Sequence, residues 1–196
     1  MPTIHPTASV HPQTQLGDGV EIGPYCQVGA GVKLGAGTRL VGHVYLEGPL
    51  EMGTGNTVYP YACIGFAPQD RKYDPAHPGA GVRIGNDNTL REHVTIHRAT
   101  GPAPTTLGQR NYLMVSSHLA HDVSVGDDCT FANSVLLAGH VQVQDRVTIG
   151  GNSAVHQFVR IGRLTMISGN VGIAQDLPPF CTCYYMRTIG SLNIVG

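Results

Sequence analysis

The sequence contains no tryptophan, and aromatic residues make up only 6% of its 196 residues. Lysine plus arginine (12) and aspartate plus glutamate (13) nearly balance, so no basic surface for nucleic acid or an anionic membrane is indicated. No apolar run is long enough to span a bilayer. The five cysteines are an odd number and lack the spacing of a disulfide framework. These absences predict a reduced, cytoplasmic protein with no membrane insertion and with a thin core.

What the sequence has instead is an aliphatic, methionine or phenylalanine residue at every sixth position. The repeat extends from Ile4 to Ile64 and from Leu107 to Ile173, with a short run from Ile84 to Ile96 between them. A period of six fits neither an amphipathic helix nor an alternating strand; it is the hexapeptide signature of a parallel β-helix. Three hexapeptides would make one coil, so residues 18 apart should lie above one another at about 4.8 Å.

The repeat therefore predicts an all-β fold with three strands per coil, and the known hexapeptide β-helices that it resembles wind left-handed. Another solenoid or a β-sandwich is the alternative. The residue four positions after the aliphatic one is small or β-branched, as at Cys26 and Cys129, and is expected to point inward. Glycine often follows the aliphatic residue, where we expect it to permit a sharp corner. Examples are Gly17, Gly23, Gly29 and Gly35.

Two segments interrupt the register, and they divide the chain into a solenoid and its insertions. Residues 1–175 are predicted to form the β-helix, starting at the first residues without a signal peptide, with loops at 65–81 and 97–106. Such loops leave the body of a solenoid and often form its binding face. Residues 176–196 are predicted to be a C-terminal extension, the truncated start of a cap or helical domain.

Histidines cluster beside a carboxylate in the second half of the chain. Because Leu119 should point inward, His118 and His121 should flank it on the outer surface, with Asp122 next to His121. Gly139 lies 18 residues after His121 and should sit one coil above it, followed by His140. A histidine oriented by a carboxylate, beside an accessible backbone N–H, is the layout of a general base next to an oxyanion donor.

Six stretches resemble the family of acyl-[acyl-carrier-protein]–UDP-N-acetylglucosamine O-acyltransferases, which act first in lipid A synthesis. They extend along most of the chain in the order of the family. The stretches are residues 69–73 (QDRKY), 91–98 (REHVTIHR), 118–122 (HLAHD), 137–140 (LAGH), 149–158 (IGGNSAVHQF) and 174–179 (AQDLPP).

The resemblance implies a mechanism. His121 would be the general base that takes the proton of the sugar 3-hydroxyl, Asp122 would orient it, and the Gly139 N–H would stabilise the oxyanion. The attacked thioester would carry a 3-hydroxyacyl chain on the phosphopantetheine of acyl carrier protein, so no metal or dissociable cofactor is expected. The resemblance also implies substrate contacts from Asp70, Lys72, His118, His140, His156, Gln157 and Asn193, and an acyl-chain groove ending at Met166 and Gly169.

In this family the site lies between the subunits of a homotrimer, so a homotrimer is expected here. Arg160 and Arg163 could meet an acidic carrier protein, or they could be a solvated surface pair. The family has a carboxylate shortly after the position of Asn193, where this chain has Val195, and then continues into an arginine-bearing helical domain.

Three other functions are compatible with parts of this pattern. A related hexapeptide acyltransferase could use another nucleotide-sugar acceptor or an acyl-CoA donor. A zinc protein like the γ-class carbonic anhydrases would need three converging ligands, and the spacing of His118 and His121 differs from that family. A binding or scaffold protein would have no use for an intact set of His121, Asp122 and Gly139.

Overall fold

The computed structural model describes residues 1–184 and 189–194. Within these residues it contains 28 strands of two to four residues. The described residues form no helix, and therefore none that could cross a membrane. The strands form three sheets, in which all neighbours pair in parallel except the last two strands. The predicted left-handed parallel β-helix, of about ten coils, is confirmed.

The three sheets are the three faces of the solenoid, and each of the first eight coils contributes one strand to every sheet. The first sheet contains β1 (Thr3–Ile4), β4 (Glu21–Ile22), β7 (Arg39–Leu40), β10 (Thr57–Val58), β13 (Thr89–Leu90), β16 (Tyr112–Leu113), β19 (Thr130–Phe131), β22 (Thr148–Ile149), β25 (Met166–Ile167), β27 (Cys181–Cys183) and β28 (Ile189–Leu192). The second contains β2 (Ser9–Val10), β5 (Gln27–Val28), β8 (Tyr45–Leu46), β11 (Cys63–Phe66), β14 (Thr95–His97), β17 (His118–Leu119), β20 (Leu136–Leu137), β23 (Ala154–Val155) and β26 (Gly172–Ile173). The third contains β3 (Gln15–Leu16), β6 (Val32–Leu34), β9 (Leu50–Met52), β12 (Val82–Ile84), β15 (Thr105–Leu107), β18 (Ser124–Val125), β21 (Gln142–Val143) and β24 (Arg160–Ile161).

The core is the narrow channel between the three sheets. The aliphatic series is buried from Ile22 to Ile173, as predicted, and the second inward position is buried at Cys26 and Cys129. Ile4 is 45% exposed because the first coil has a neighbour on one side only. Phe131 is the only aromatic residue among the fully buried side chains of the described segments, as a thin core requires.

The expected reason for the glycines after the aliphatic residue is wrong. The left-handed backbone conformation occurs two residues later, for example at Gly19 (φ 67°), Tyr25 (φ 57°) and Gly37 (φ 68°). Instead, a side chain at Gly17 would meet the backbone of the next coil, since its Cβ would lie 2.6 Å from Ala36 N. Glycine is needed there because neighbouring coils approach closely, while non-glycine residues occupy many of the corners that do have positive φ.

Two coils are longer than the rest, and both lengthen between the second and third sheets. Thr57 pairs with Thr89, 32 positions later, and Thr89 pairs with Tyr112, 23 positions later, whereas 18 separates partners such as Thr130 and Thr148. The extra residues form a first loop between β11 and β12 (residues 67–81) and a second loop between β14 and β15 (residues 98–104). Both loops therefore leave the solenoid at the same edge.

Three buried asparagines form a hydrogen-bonded ladder in the core beside these loops. Asn88 N and Nδ2 donate to Asn56 Oδ1 (both 2.9 Å), Asn111 N and Nδ2 donate to Asn88 Oδ1 (2.9 and 3.0 Å), and Cys129 N donates to Asn111 Oδ1 (2.7 Å). Their amide nitrogens also donate to the carbonyls of the neighbouring coils. The ladder satisfies these buried polar groups, as stable packing requires.

At the C-terminal end, β27 continues the first sheet in parallel with β25, and β28 then folds back on β27 in antiparallel. The backbone N–H of Asn193 donates to Phe180 O and its Nδ2 donates to Leu164 O, both at 2.8 Å. Asn193 is thus tied to the last coil. Val195 lies outside the described residues.

Candidate functional site

The site lies at the corner between the second and third sheets, directly after β17. Leu119 is fully buried, so the backbone presents His118 before it and His121 and Asp122 after it on the outside. Asp122 occupies the left-handed corner position (φ 60°), and its N–H donates to Thr105 Oγ1 (2.8 Å). The six-residue repeat therefore places the histidine and the carboxylate side by side at one turn.

His121 and Asp122 form a hydrogen-bonded pair. His121 Nδ1 lies 2.7 Å from Asp122 Oδ2, and the two side chains are only 18% and 11% exposed. With the Nδ1 proton directed to the carboxylate, Nε2 is left with a lone pair and can accept a proton. This is the geometry of a general base whose tautomer is fixed by its neighbour.

The second loop surrounds the carboxylate of Asp122. Thr100 Oγ1 donates to Oδ2 (2.6 Å), Thr100 N–H is 3.2 Å from both oxygens, and Gly101 N–H donates to Oδ1 (3.1 Å). Burial alone would raise the pKa of Asp122, but the hydrogen bonds from Thr100, His121 and Gly101 outweigh it and lower the pKa. Asp122 is therefore held as an oriented carboxylate.

Gly139 lies one coil above His121, as the 18-residue spacing predicted. A Cβ on Gly139 would lie 2.7 Å from His121 Cε1 and 2.8 Å from Nε2, so no side chain fits between this corner and the imidazole. Among the described residues, the Gly139 N–H donates no hydrogen bond to another protein group. An unpaired N–H next to the basic nitrogen is available to an oxyanion.

His140 and Phe158 extend the site toward the C-terminal coils. The His140 ring stands edge-on to that of His121 (5.2 Å, 88°), and its Nε2 lies 3.7 Å from Asp122 Oδ2. Phe158, 62% exposed, stacks flat on His140 (4.6 Å, 5°). His140 is thus placed between the His121–Asp122 pair and an exposed aromatic ring, a contact that the 18-residue spacing from His140 to Phe158 could have indicated.

On the N-terminal side, His118 is half-buried and His97 is buried, and both are neutral at pH 7. Burial, together with the nearby His97 and His121, lowers the pKa of His118 to about 4, and burial lowers the pKa of His97 as well. His118 Nδ1 lies 2.7 Å from Thr95 Oγ1, and its ring packs edge-on against His97 (4.9 Å). At neutral pH both imidazoles can offer uncharged hydrogen-bonding groups to a ligand.

One groove of about 640 Å³ lies along the outside of the second sheet, and its lining includes His97, His118, His121 and Gly139. Gln69 of the first loop reaches it, next to the sequence-predicted Asp70. Toward the C-terminus the floor of the groove is apolar, and its side chains become smaller, from the 45%-exposed Leu136 to Ala154. The complete lining is Gln69, Thr95, His97, Ser116, His118, Ala120, His121, Leu136, Leu137, Ala138, Gly139, Ala154 and Val155.

Several predicted site residues lie outside this groove. In the first loop, Asp70 Oδ1 accepts from the backbone N–H of Lys72 (2.9 Å), whose side chain is exposed. His156 and Gln157 are exposed one coil above Ala138 and Gly139. Exposed Met166 is on the first sheet, Gly169 is at the corner between the first and second sheets, and Asn193 is on the last coil.

Arg160 and Arg163, the predicted contacts for a carrier protein, have neighbours of their own. Arg160 binds Asp176 through Nε (2.8 Å) and Nη2 (2.6 Å), and the Arg163 guanidinium lies over the Phe180 ring at 5.1 Å. An exposed ion pair of this kind contributes little to stability, so Arg160 could exchange Asp176 for another acidic group.

A metal is the alternative that the donor atoms allow. One ligand atom each from His121, Asp122 and His140 lies within 4.8 Å of the others. However, Asp122 Oδ2 already accepts hydrogen bonds from Thr100 Oγ1 and is 2.7 Å from His121 Nδ1. A metal bound through Asp122 Oδ2 would compete with both contacts, so this atom fits a hydrogen-bonded His–Asp pair better than a zinc site.

Comparisons with known proteins agree with this geometry. A family model described as "Bacterial transferase hexapeptide (six repeats)" matches residues 13–48. An acyl-[acyl-carrier-protein]–UDP-N-acetylglucosamine O-acyltransferase from Synechocystis is 54% identical over 197 aligned residues, covering 100% of this chain and 71% of the relative. One from Helicobacter pylori is 42% identical over 69% of this chain and 50% of its own length.

Solved structures show the same similarity in three dimensions. A UDP-N-acetylglucosamine acyltransferase is 41% identical with a TM-score of 0.94, covering 97% of this chain and 74% of that one. The O-acyltransferase from Moraxella catarrhalis is 37% identical with a TM-score of 0.92, covering 97% and 75%. The similarity thus includes the loops and the site as well as the repeat.

Proposed function

Since this chain belongs to the acyl-[acyl-carrier-protein]–UDP-N-acetylglucosamine O-acyltransferase family, we propose that it transfers a 3-hydroxyacyl chain from acyl carrier protein to the 3-hydroxyl of UDP-N-acetylglucosamine. This is the first step of lipid A biosynthesis. The observation that carries the proposal is the joint position of His121, Asp122 and Gly139: a base with a fixed tautomer directly beneath an unpaired N–H.

Each of the three residues has one task in the transfer. His121 Nε2 takes the proton of the sugar hydroxyl as its oxygen attacks the thioester carbonyl carbon. The carbonyl oxygen becomes an oxyanion, which the Gly139 N–H stabilises. The tetrahedral intermediate then expels the phosphopantetheine thiolate, which receives the proton from the His121 imidazolium, while Asp122 stabilises that cation. Ester and thiol are the products, and the protein returns to its starting state without a metal or cofactor.

The surroundings of this set suit the two substrates. His118, which burial keeps neutral at pH 7, and the neighbouring His140 can both hydrogen-bond to a sugar. The apolar floor at Leu136 and Ala154 can take a hydrocarbon chain that starts at the thioester. We assign sugar and nucleotide contacts to Asp70, Lys72, His118, His140, His156, Gln157 and Asn193, and the far end of the acyl groove to Met166 and Gly169.

We further propose that the protein acts as a cytoplasmic homotrimer with sites shared between subunits. Asp70, Lys72 and Asn193 do not line the groove of their own chain, which supports their serving the groove of a neighbouring copy. Sedimentation of the purified protein, followed by activity of mixed trimers that combine inactive His121 and Lys72 variants, tests this arrangement. Partial recovery of activity in the mixture requires sites built from two chains.

The central experiment is acyl transfer from 3-hydroxyacyl carrier proteins of several chain lengths to UDP-N-acetylglucosamine, with the product ester identified by mass spectrometry. His121→Ala should lose at least about 10³-fold in kcat while keeping the melting temperature of the wild-type protein, because the side chain packs on the surface of the coil. Turnover with acyl-CoA but not with acyl carrier protein would support a related acyltransferase instead. Unchanged turnover in His121→Ala would refute the assigned base.

A further inference from the structure

The carboxylate of Asp122 is held from one side by a second-loop segment that the reaction itself does not use. Both Asp122 oxygens accept hydrogen bonds from this segment: Oδ2 from Thr100 Oγ1 (2.6 Å), and Oδ1 from Gly101 N–H (3.1 Å). Oδ2 is also the atom 2.7 Å from His121 Nδ1. A carboxylate turned away from Thr100 would therefore also change the hydrogen bond that orients the base.

The position of Thr100 depends in turn on the first loop. Ala99 N–H donates to Gly81 O (3.1 Å), and Ala80 N–H donates to Gly101 O (3.2 Å), so the two loops are joined by backbone hydrogen bonds on either side of Thr100. Gly79 completes the contact: a Cβ there would collide with Ala99 O. Gln69, in the same first loop, lines the groove.

We propose that Thr100 and Gly101 are positioning residues for the His121–Asp122 pair, and that residues 79–81 of the first loop hold them in place. The inference deepens the proposed function and rests on it. Hydrogen bonds join the first loop to the second loop, the second loop to Asp122, and Asp122 to His121. The loop that reaches the substrate groove is thereby connected to the orientation of the general base. Neither loop contributes a group to the bonds that form or break.

The first test separates positioning from folding by comparing two substitutions of one residue. Thr100→Val keeps the shape of the side chain but removes the donor to Asp122 Oδ2, and Thr100→Ser keeps the donor. We expect Thr100→Val to lower kcat about tenfold with KM for both substrates within about twofold, and Thr100→Ser to recover most of the loss. Wild-type kcat in Thr100→Val, or equal losses in both variants, would overturn the proposal.

Thr38→Val is the matched control. Thr38 is fully buried and its Oγ1 donates to Gly53 O (2.9 Å) in the core of the N-terminal coils, far along the chain from the site. The substitution removes the same kind of donor, so any general effect of losing a threonine hydrogen bond appears in this variant as well. We expect its kcat and KM to match those of the wild type.

The second test addresses the contact between the loops. Gly79 (φ 74°) and Gly37 (φ 68°) have the same left-handed conformation, but a Cβ at Gly37 would meet nothing within 4 Å. Alanine therefore imposes similar backbone strain at both positions, and a collision only at Gly79. We expect Gly79→Ala to lower kcat about as much as Thr100→Val, and Gly37→Ala to leave it unchanged. Equal kcat in the two alanine variants would overturn the role of residues 79–81.

A readout that needs no turnover keeps this inference separate from the proposed function. Nitrogen-15 NMR of the histidines reports the proton on His121 Nδ1 directly. We expect the hydrogen-bonded Nδ1 proton in the wild type and in Thr100→Ser, and its weakening in Thr100→Val and Gly79→Ala. If the wild type forms no ester but shows this pattern, the assigned reaction fails and the positioning role stands. If the signal is the same in all variants, the positioning role fails.

Discussion

Replacing Gly139 by alanine adds one methyl group at the most constrained point of the site. The new Cβ would lie 2.7 Å from His121 Cε1 and 2.8 Å from Nε2, whereas non-bonded carbons pack at about 3.5–4.0 Å. The imidazole must therefore move by roughly 0.8 Å, which disturbs the 2.7 Å hydrogen bond between its Nδ1 and Asp122 Oδ2. Since the φ of Gly139 lies outside the left-handed region, alanine adds no backbone strain.

The expected cost follows from that displacement. A misplacement of about 1 Å at a reacting group lowers the rate about 10²-fold, so we expect Gly139→Ala to reduce kcat by about 10² with a small change in KM. Single-turnover transfer from a 3-hydroxyacyl carrier protein measures the chemical step directly. Gly29→Ala is the control, because its Cβ would lie 3.2 Å from Leu46 O in a coil far from the site. A kcat within about threefold of wild type would refute the geometry.

Three further substitutions test other parts of the structure. Asp122→Asn should lower kcat at least about 10²-fold by allowing the wrong His121 tautomer; an unchanged kcat would contradict the assigned pair. Asn88→Ala should lower the free energy of unfolding by about 3 kcal/mol, since the buried Asn111 N–H loses its acceptor, which denaturant unfolding measures. His118 has a folded-state pKa of about 4, below its unfolded value, so the unfolded chain binds more protons and wild-type stability should fall as pH drops from 6.5 to 4. His118→Gln should be about 2 kcal/mol less sensitive to this change, and equal pH slopes would contradict the buried neutral imidazole.

The period of six was sufficient to predict a parallel β-helix with three strands per coil, because a solenoid repeats one local rule, whereas the left hand came from the resemblance to known hexapeptide β-helices. The inward position of the aliphatic series and the stacking of residues 18 apart both follow from the period, and the second brings Gly139 above His121 before any coordinates are known. The positions of His121, Asp122 and Gly139 relative to one another could be predicted because all three lie on regular coils, where counting residues gives position in space.

The parts that could not be predicted are those for which the number of intervening residues does not give the position or the contacts in space. The second loop has no repeat, so nothing in the sequence indicated that Thr100 and Gly101 bind Asp122. The position of Phe158 one coil above His140 follows from their spacing of 18 residues, but the flat stacking of the two rings depends on side-chain orientation at two corners. The glycine argument failed because spacing shows where a small residue is needed but does not show whether φ or the approach of the next coil requires it.

The asparagine ladder explains how a regular solenoid can include two insertions of different length. The chain rejoins the coil after each loop with β12 and β15. Asn88 lies at the next corner after β12, directly before β13, and Asn111 lies at the next corner after β15, directly before β16. Asn56 lies one coil below Asn88. Elsewhere the same core position holds Val20, Thr38, Cys129, Val147 or Thr165. An amide both donates to and accepts from neighbouring coils, so it fixes their register where the loops interrupt the repeat, at the cost of an apolar contact. Because the second loop, which holds Asp122, leaves the solenoid from these coils, the polar core and the His121–Asp122 pair depend on the same local register.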